Sequence, residues 1–332
     1  MSNTAKKYQE LNKILYVWNG GDPRLWYQWQ QKNVDLLVNF CKVHGFTEVN
    51  IFVGSSADLT NGWMRGNIDQ YKVLFQALSS ANISIYTLFY DNDDPNDIPA
   101  PNTPIADNYK NLIDILLNLK KSPEYSGIKG ISYDQEPYNS AVYPNFQSRV
   151  CNMVDYAHQK GLGFGMALKM HWLTISSIGK QFLSKMNQPN DRPILMDYFP
   201  WQPQNNSVEN QLAYQNICEK YVDPLFQESY GSAKINIALE TETDAFSGGL
   251  PVNAFSGDGK IEGLSPNDFW LTVVNLEAKY NSSVNFGMIV VHQYGNSPKG
   301  VGYFNAMYQA DPFTWVDSPP VTLAINPSGR RR

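Results

Sequence analysis

Two carboxylates stand two positions apart in Gly127–Tyr138, GIKGISYDQEPY: Asp134 and Glu136. The run before them is β-branched and punctuated by glycine, which predicts a strand, and Pro137 stops it. Side chains two apart on a strand share a face. Ser132, Asp134 and Glu136 therefore point one way, and Ile131, Tyr133 and Gln135 the other. Neighbouring acids repel and are costly to bury together, so one of them is expected to keep its proton to higher pH than an isolated carboxyl. Such a pair can deliver a proton to a leaving group. A solvated strand end carries the same DxE, so the surrounding elements must decide between the two readings.

Those elements alternate. Strands are expected at Ile14–Trp18, Glu48–Val53, Ile83–Tyr90, Ile128–Asp134, Gly163–Lys169, Pro193–Phe199, Lys234–Glu240 and Phe286–Tyr294. Amphipathic, helix-length segments follow them at Tyr27–His44, Ile68–Ser80, Asp107–Lys121, Asn145–Lys160, Leu173–Met186, Val208–Glu228, Pro266–Tyr280 and, in short form, Val301–Gln309. Strand-helix alternation means a parallel sheet of the α/β class. Eight units predict a single closed (β/α)8 TIM barrel. All 332 residues then form one domain, with the barrel over 12–311 and a tail at 312–332 that wraps the outside or is disordered. GxGxxG after the first strand and GxxxxGK[ST] are both absent, which removes the nucleotide-binding open sheets. The long connections, 91–105, 138–143, 200–206, 241–265 and 294–300, all follow strands, on the face where this fold builds its active sites.

The residues gathered there define the chemistry. Trp18 and Asn19 end the first strand, Tyr90 and Asp91 the third, and Asp134 and Glu136 the fourth. Lys169 and His171 follow the fifth, and Asp197, Tyr198 and Trp201 the sixth. Glu240 and Glu242 end the seventh, and His292, Gln293 and Tyr294 the eighth. Carboxylates, a Tyr and several Trp around one mouth suit glycoside hydrolysis, which needs a protonated acid and a negative or nucleophilic group at an oxocarbenium-like centre. The four histidines fall in no HxH or HExxH pattern, so no metal or other cofactor is expected. The acidic loop DNDDPND lacks the EF-hand spacing and reads as solvated. There is no GxSxG elbow for Ser/His/Asp catalysis. Lys169 is a Schiff-base candidate, and equally an ion-pair partner for Asp134 or Asp197.

Composition narrows the partners. A net charge of −5 without a Lys/Arg-rich stripe argues against nucleic acid. No apolar run is long enough for a bilayer, and no leader-like apolar stretch opens the chain, which fits either a cytoplasmic protein or a secreted one with its signal removed. Cys41, Cys151 and Cys218 are odd in number and widely spaced, so they form no disulfide framework. Aromatic residues make up 13% of the chain, with 8 Trp and 20 Tyr, a supply of rings for sugar faces as well as for cores. Asn82, Asn205 and Asn281 head N-x-S sequons. The oligomeric state is not readable.

The motifs resemble the barrel glycosidases in two ways. Ser132-Tyr133-Asp134-Gln135-Glu136 resembles the end of the family 18 chitinase pattern DxxDxDxE, and Met196-Asp197-Tyr198 resembles that family's Met-x-Tyr. The resemblance implies Glu136 as acid, Asp134 orienting the substrate N-acetyl group and Tyr198 assisting, with a carbohydrate as substrate. This chain departs from the pattern at Ser132 and Lys129, and at the eighth strand, where His292 and Tyr294 stand in place of a Trp. Separately, Gln135-Glu136-Pro137 is similar to the Asn-Glu-Pro of the large retaining clan, whose nucleophile lies on strand seven. That resemblance implies Glu136 as acid/base and Glu240 as nucleophile, with Glu242 the other candidate and carboxyls about 5–5.5 Å apart. Trp18, Tyr90, Lys169, Asp197, Trp201, Glu242, His292 and Tyr294 are then substrate-binding candidates. A chitinase-like barrel that binds carbohydrate without cleaving it remains the alternative, motivated by Ser132 and by the aromatic content.

Overall fold

The apolar runs pair side by side in chain order. The computed structural model describes residues 8–17, 31–56, 58, 63–92, 94–101, 103–174, 177–228, 230–241, 246–247, 249–255, 263–294, 296–297 and 300–301. Among them eight parallel strands close a barrel: β1 (Lys13–Val17), β2 (Phe46–Ser55), β3 (Ser84–Tyr90), β4 (Ile128–Tyr133), β5 (Gly163–Lys169), β6 (Arg192–Met196), β7 (Ile235–Glu240) and β8 (Phe286–Tyr294). β8 returns to β1, with Ile14 opposite Val290 and Leu15 opposite Val291. β1 and β7 are buried along their whole length, as parallel strands covered on both faces must be.

The outer layer is helical: α1 (Gln31–His44), α2 (Trp63–Ser80), α3 (Asn108–Lys120), α4 (Tyr143–Gln159), α5 (Met170–Thr174), α6 (Ile178–Lys185), α7 (Ser207–Phe226) and α8 (Pro266–Tyr280). Caps fix where several begin. Asn206 accepts from the Glu209 N–H at the start of α7, and Ser265 from the Asp268 N–H at the start of α8, with Pro266 in the first turn. The single helix expected over Leu173–Met186 falls on the end of α5 and on α6, and Ile175 and Ser176 between them lie outside the described residues. The short Val301–Gln309 helix and the 312–332 tail lie outside the described residues, apart from Val301, which with Gly300 pairs back on Asn296–Ser297.

Polar side chains hold the barrel at its N-terminal end. Arg192 of β6 reaches across the interior to Glu48 of β2, with Nε 2.9 and 3.0 Å from the two carboxylate oxygens, and its guanidinium lies over the Tyr86 ring. Burial raises the Glu48 carboxyl to about 7 against the pull of Arg192. Gly130 lets β4 fit here: a Cβ would lie 2.2 Å from the Gly163 carbonyl oxygen and 2.6 Å from the Tyr86 ring. Lys13 is fully buried at the start of β1, donating to the carbonyls of Tyr8 and Leu11. Outside the wall, Arg149 of α4 pairs with buried Asp91, its Nε 2.7 Å from Oδ2. Asp91, read from the sequence as a residue of the mouth, therefore serves the packing of α4 on the barrel.

Candidate active site

β4 delivers the two acids as its pattern predicts. The Asp134 N–H donates to the Phe89 carbonyl at 2.9 Å, which pins the strand end to β3 just before the acids leave the sheet. Gln135 points the other way. It is buried, accepts from the Asp91 N–H at 2.8 Å and donates to the Asp94 carbonyl at 3.1 Å, so it clamps the β3–α3 loop. This occupies the side chain that stands where the retaining clan has the Asn of its Asn-Glu-Pro.

Asp134 Oδ1 is shut off from water. Burial first, and then the Glu136 carboxyl in hydrogen-bonding contact with it, pushes Asp134 up to about 7; the charges of His292 and Lys169 pull the other way. Lys169, at the end of β5, donates to the Glu136 carbonyl at 2.6 Å, and its Nζ lies 3.5 Å from Glu136 Oε2. The Tyr16 hydroxyl is buried near Ser132 and Asp134. Tyr16 is held above its usual range by burial, with Asp134 and Glu136 adding to the shift. Tyr16 is not among the residues its sequence singles out, although alternation along β1 puts it on the same face as Ile14.

Across the mouth, Tyr198 feels the charges of Glu240, Asp134 and Glu136, and burial keeps its hydroxyl protonated. The His292 ring lies between two tyrosines, 5.3 Å from Tyr16 and 5.7 Å from Tyr198 by centroids. Its Nδ1 is 2.9 Å from Glu240 Oε1, and the same oxygen accepts from the Thr241 N–H at 2.8 Å. Glu240 is thus buried and engaged by its neighbours. Asp134 and Tyr16 both respond to the charge of Glu136. An open cleft of about 490 Å³ lies over the β5–β6 side, lined by Glu136, Lys169, His171, Tyr198, Phe199 and Tyr221 among others. Phe199 stacks on Tyr221 with centroids 3.6 Å apart, so the cleft wall is aromatic.

Several binding candidates stand elsewhere. Asp197 points out through the barrel wall, where burial raises its carboxyl and the Cys218 thiol of α7 is its hydrogen-bonding neighbour. Alternation explains this, since Asp197 is one residue from Met196 and Tyr198, which both line the cleft. Trp201 is 2% exposed, packs on Tyr214 and donates to the Asn253 carbonyl at 2.8 Å. It anchors the β7–α8 connection and offers no ring to a sugar. Tyr90 stacks on Phe52 with centroids 5.4 Å apart and is half-buried. Trp18 and Glu242 lie outside the described residues, as does the side chain of Tyr294. Among the described residues, no group of three His, Cys, Asp or Glu could hold a metal ion, and no helix is long and apolar enough to cross a membrane.

No protein-family model and no curated protein matches the chain. Solved structures do. A chitinase from Chromobacterium violaceum ATCC 12472 matches with a TM-score of 0.51 and 13% identity, over 93% of this chain and 100% of that one. A class V chitinase from Pseudomonas fluorescens Pf-5 matches at 0.47 and 12% identity, over 92% and 99%. A D-psicose 3-epimerase from Clostridium cellulolyticum H10 matches at 0.41 and 10%, over 84% and 83%. At these identities the likeness is one of fold: the chain is a (β/α)8 barrel whose structural neighbours include chitinases.

Proposed function

We propose that this chain is a retaining glycoside hydrolase acting on an N-acetyl-sugar oligo- or polysaccharide, with Glu136 as general acid/base. The observation that carries the reading is the adjacent Asp134–Glu136 pair, with Asp134 raised to about 7 by burial and by the Glu136 charge, at the mouth beside Tyr198. Glu136 gives its proton to the glycosidic oxygen as the C1–O bond breaks. The oxygen of the sugar's own N-acetyl group bonds to C1, and Asp134 holds the N–H of the resulting oxazolinium ion. Glu136, now a base, takes a proton from water, whose oxygen opens the ring at C1 with net retention. Tyr198 donates to the N-acetyl oxygen. His292, with Glu240 on its Nδ1, forms the floor between Tyr16 and Tyr198. Glu240 supports this reading better as a partner of His292 than as a nucleophile, because two donors already occupy one of its oxygens.

Glu136→Gln should abolish turnover of N-acetylglucosamine oligomers and still bind them; turnover surviving in that variant rejects the assignment. A second reading, a carbohydrate-binding barrel without turnover, is favoured by Ser132 replacing the family's Asp and by the Lys169 ammonium beside Glu136. Hydrolysis of any such oligomer by the purified wild-type protein eliminates it.

A further inference from the structure

Tyr138 is 70% exposed, and among the described residues it is the one aromatic ring in the set of large exposed apolar side chains. Its backbone, by contrast, is fixed. The N–H groups of Tyr138 and Asn139 both donate to Asn96 Oδ1, at 3.1 and 2.8 Å. Asn96 is itself held by Asp94, whose Oδ1 accepts from the Asn96 N–H at 2.9 Å and from its Nδ2 at 3.3 Å. On the C-terminal side, Asn139 caps the turn at Ser140–Val142 through the Ala141 N–H, and on the N-terminal side Gln135 is clamped to the Asp94 carbonyl. The acidic DNDDPND loop is therefore structural, because it carries the hydrogen-bond acceptors that hold the residues after Glu136. A loop fastened at both ends that leaves one ring in water presents that ring rather than merely tolerating it.

Tyr138 follows Glu136 by two residues, so their Cα atoms are at most about 7 Å apart. It lies toward β3, since the Asn96 that holds it belongs to the β3–α3 loop, whereas the open cleft lies on the β5–β6 side of Glu136. Glu136 therefore has a surface suited to sugar on either hand. A phenol ring has an apolar face for the C–H face of a pyranose and a hydroxyl for its rim.

We propose that Tyr138 is a stacking platform for a sugar on the β3 side of Glu136, so that the substrate is a glycan long enough to lie across the mouth and be cut internally. The inference rests on the reading of Glu136 as general acid. It is tested on N-acetylglucosamine oligomers from dimer to hexamer, with wild type, Tyr138→Ala and Tyr138→Trp. The preference for hexamer over trimer in kcat/KM should fall about threefold to tenfold in Tyr138→Ala, carried by KM, and return in Tyr138→Trp, consistent with the strength of one aromatic stacking contact. An unchanged chain-length preference in Tyr138→Ala overturns the proposal and leaves the role of Glu136 standing. Calorimetry on Glu136→Gln separates the other failure: no binding of any oligomer overturns the reading of the site itself, and the platform with it.

Discussion

At the scale of single residues, the proposed mechanism turns on one proton shared by two acids. The Asp134–Glu136 pair must keep that proton for Glu136 to act as an acid, and Asp134 stands near 7. Activity should therefore be present at lower pH and be lost as pH rises through about 7, an alkaline limb in kcat/KM that belongs to the pair. In Asp134→Asn the neighbouring charge that helps hold the proton is gone. The residual activity of that variant should lose the limb near 7, and a pH profile on a chromogenic oligomer checks this. Glu240→Gln tests the other acid. If it only orients His292, kcat/KM should fall about tenfold, the scale of one hydrogen bond to a charged group, and azide should restore nothing. A loss of several orders of magnitude with rescue by azide would return Glu240 to the role of nucleophile.

At the scale of elements, the start of β1 and the packing of α4 make separate, measurable contributions. Lys13 is buried where β1 begins, and burial lowers its amine to about 7 against the opposing charge of Glu277. His44 lies close enough that Lys13 helps lower it too. The unfolded chain carries Lys13 at about 10.4, so between pH 7 and 9 it binds a proton that the folded chain does not. Stability should then rise with pH across that window, with the full penalty present below 7. Lys13→Met should flatten the slope, as read by denaturant titration at several pH values. Arg149→Met leaves the fully buried Asp91 without its cation. Losing one partner of a buried pair costs about 3–5 kcal/mol, which the same titration measures at pH 7. α4 also carries Tyr143, whose hydroxyl lies 3.0 Å from His171 Nε2 at the cleft, so its docking reaches the site.

For the whole molecule, the barrel was legible because eight apolar runs of strand length recur with helix-length segments between them, and parallel pairing follows from that rhythm. Gly163–Lys169, Pro266–Tyr280 and Phe286–Tyr294 have the limits their sequences predict. The acids on β4 were legible too, since period two fixes a strand's faces. What was not legible depends on tertiary placement. Past Met196, alternation alone turns Asp197 out through the wall, and being near a strand end did not make it part of the mouth. Trp201 has the composition of a sugar platform and the hydrogen bond of an anchor. Tyr16 was passed over because nothing local distinguishes a tyrosine that fills a barrel from one that supports an acid. Asn96 acts on Tyr138 from another loop, and no periodicity encodes that. The Glu48–Arg192 bridge is of the same kind, its partners 144 residues apart. It joins an acid from the first half of the chain to a base from the second, so during synthesis Glu48 has no counter-ion until β6 has emerged. Until then the floor of the barrel lacks the ion pair that spans it.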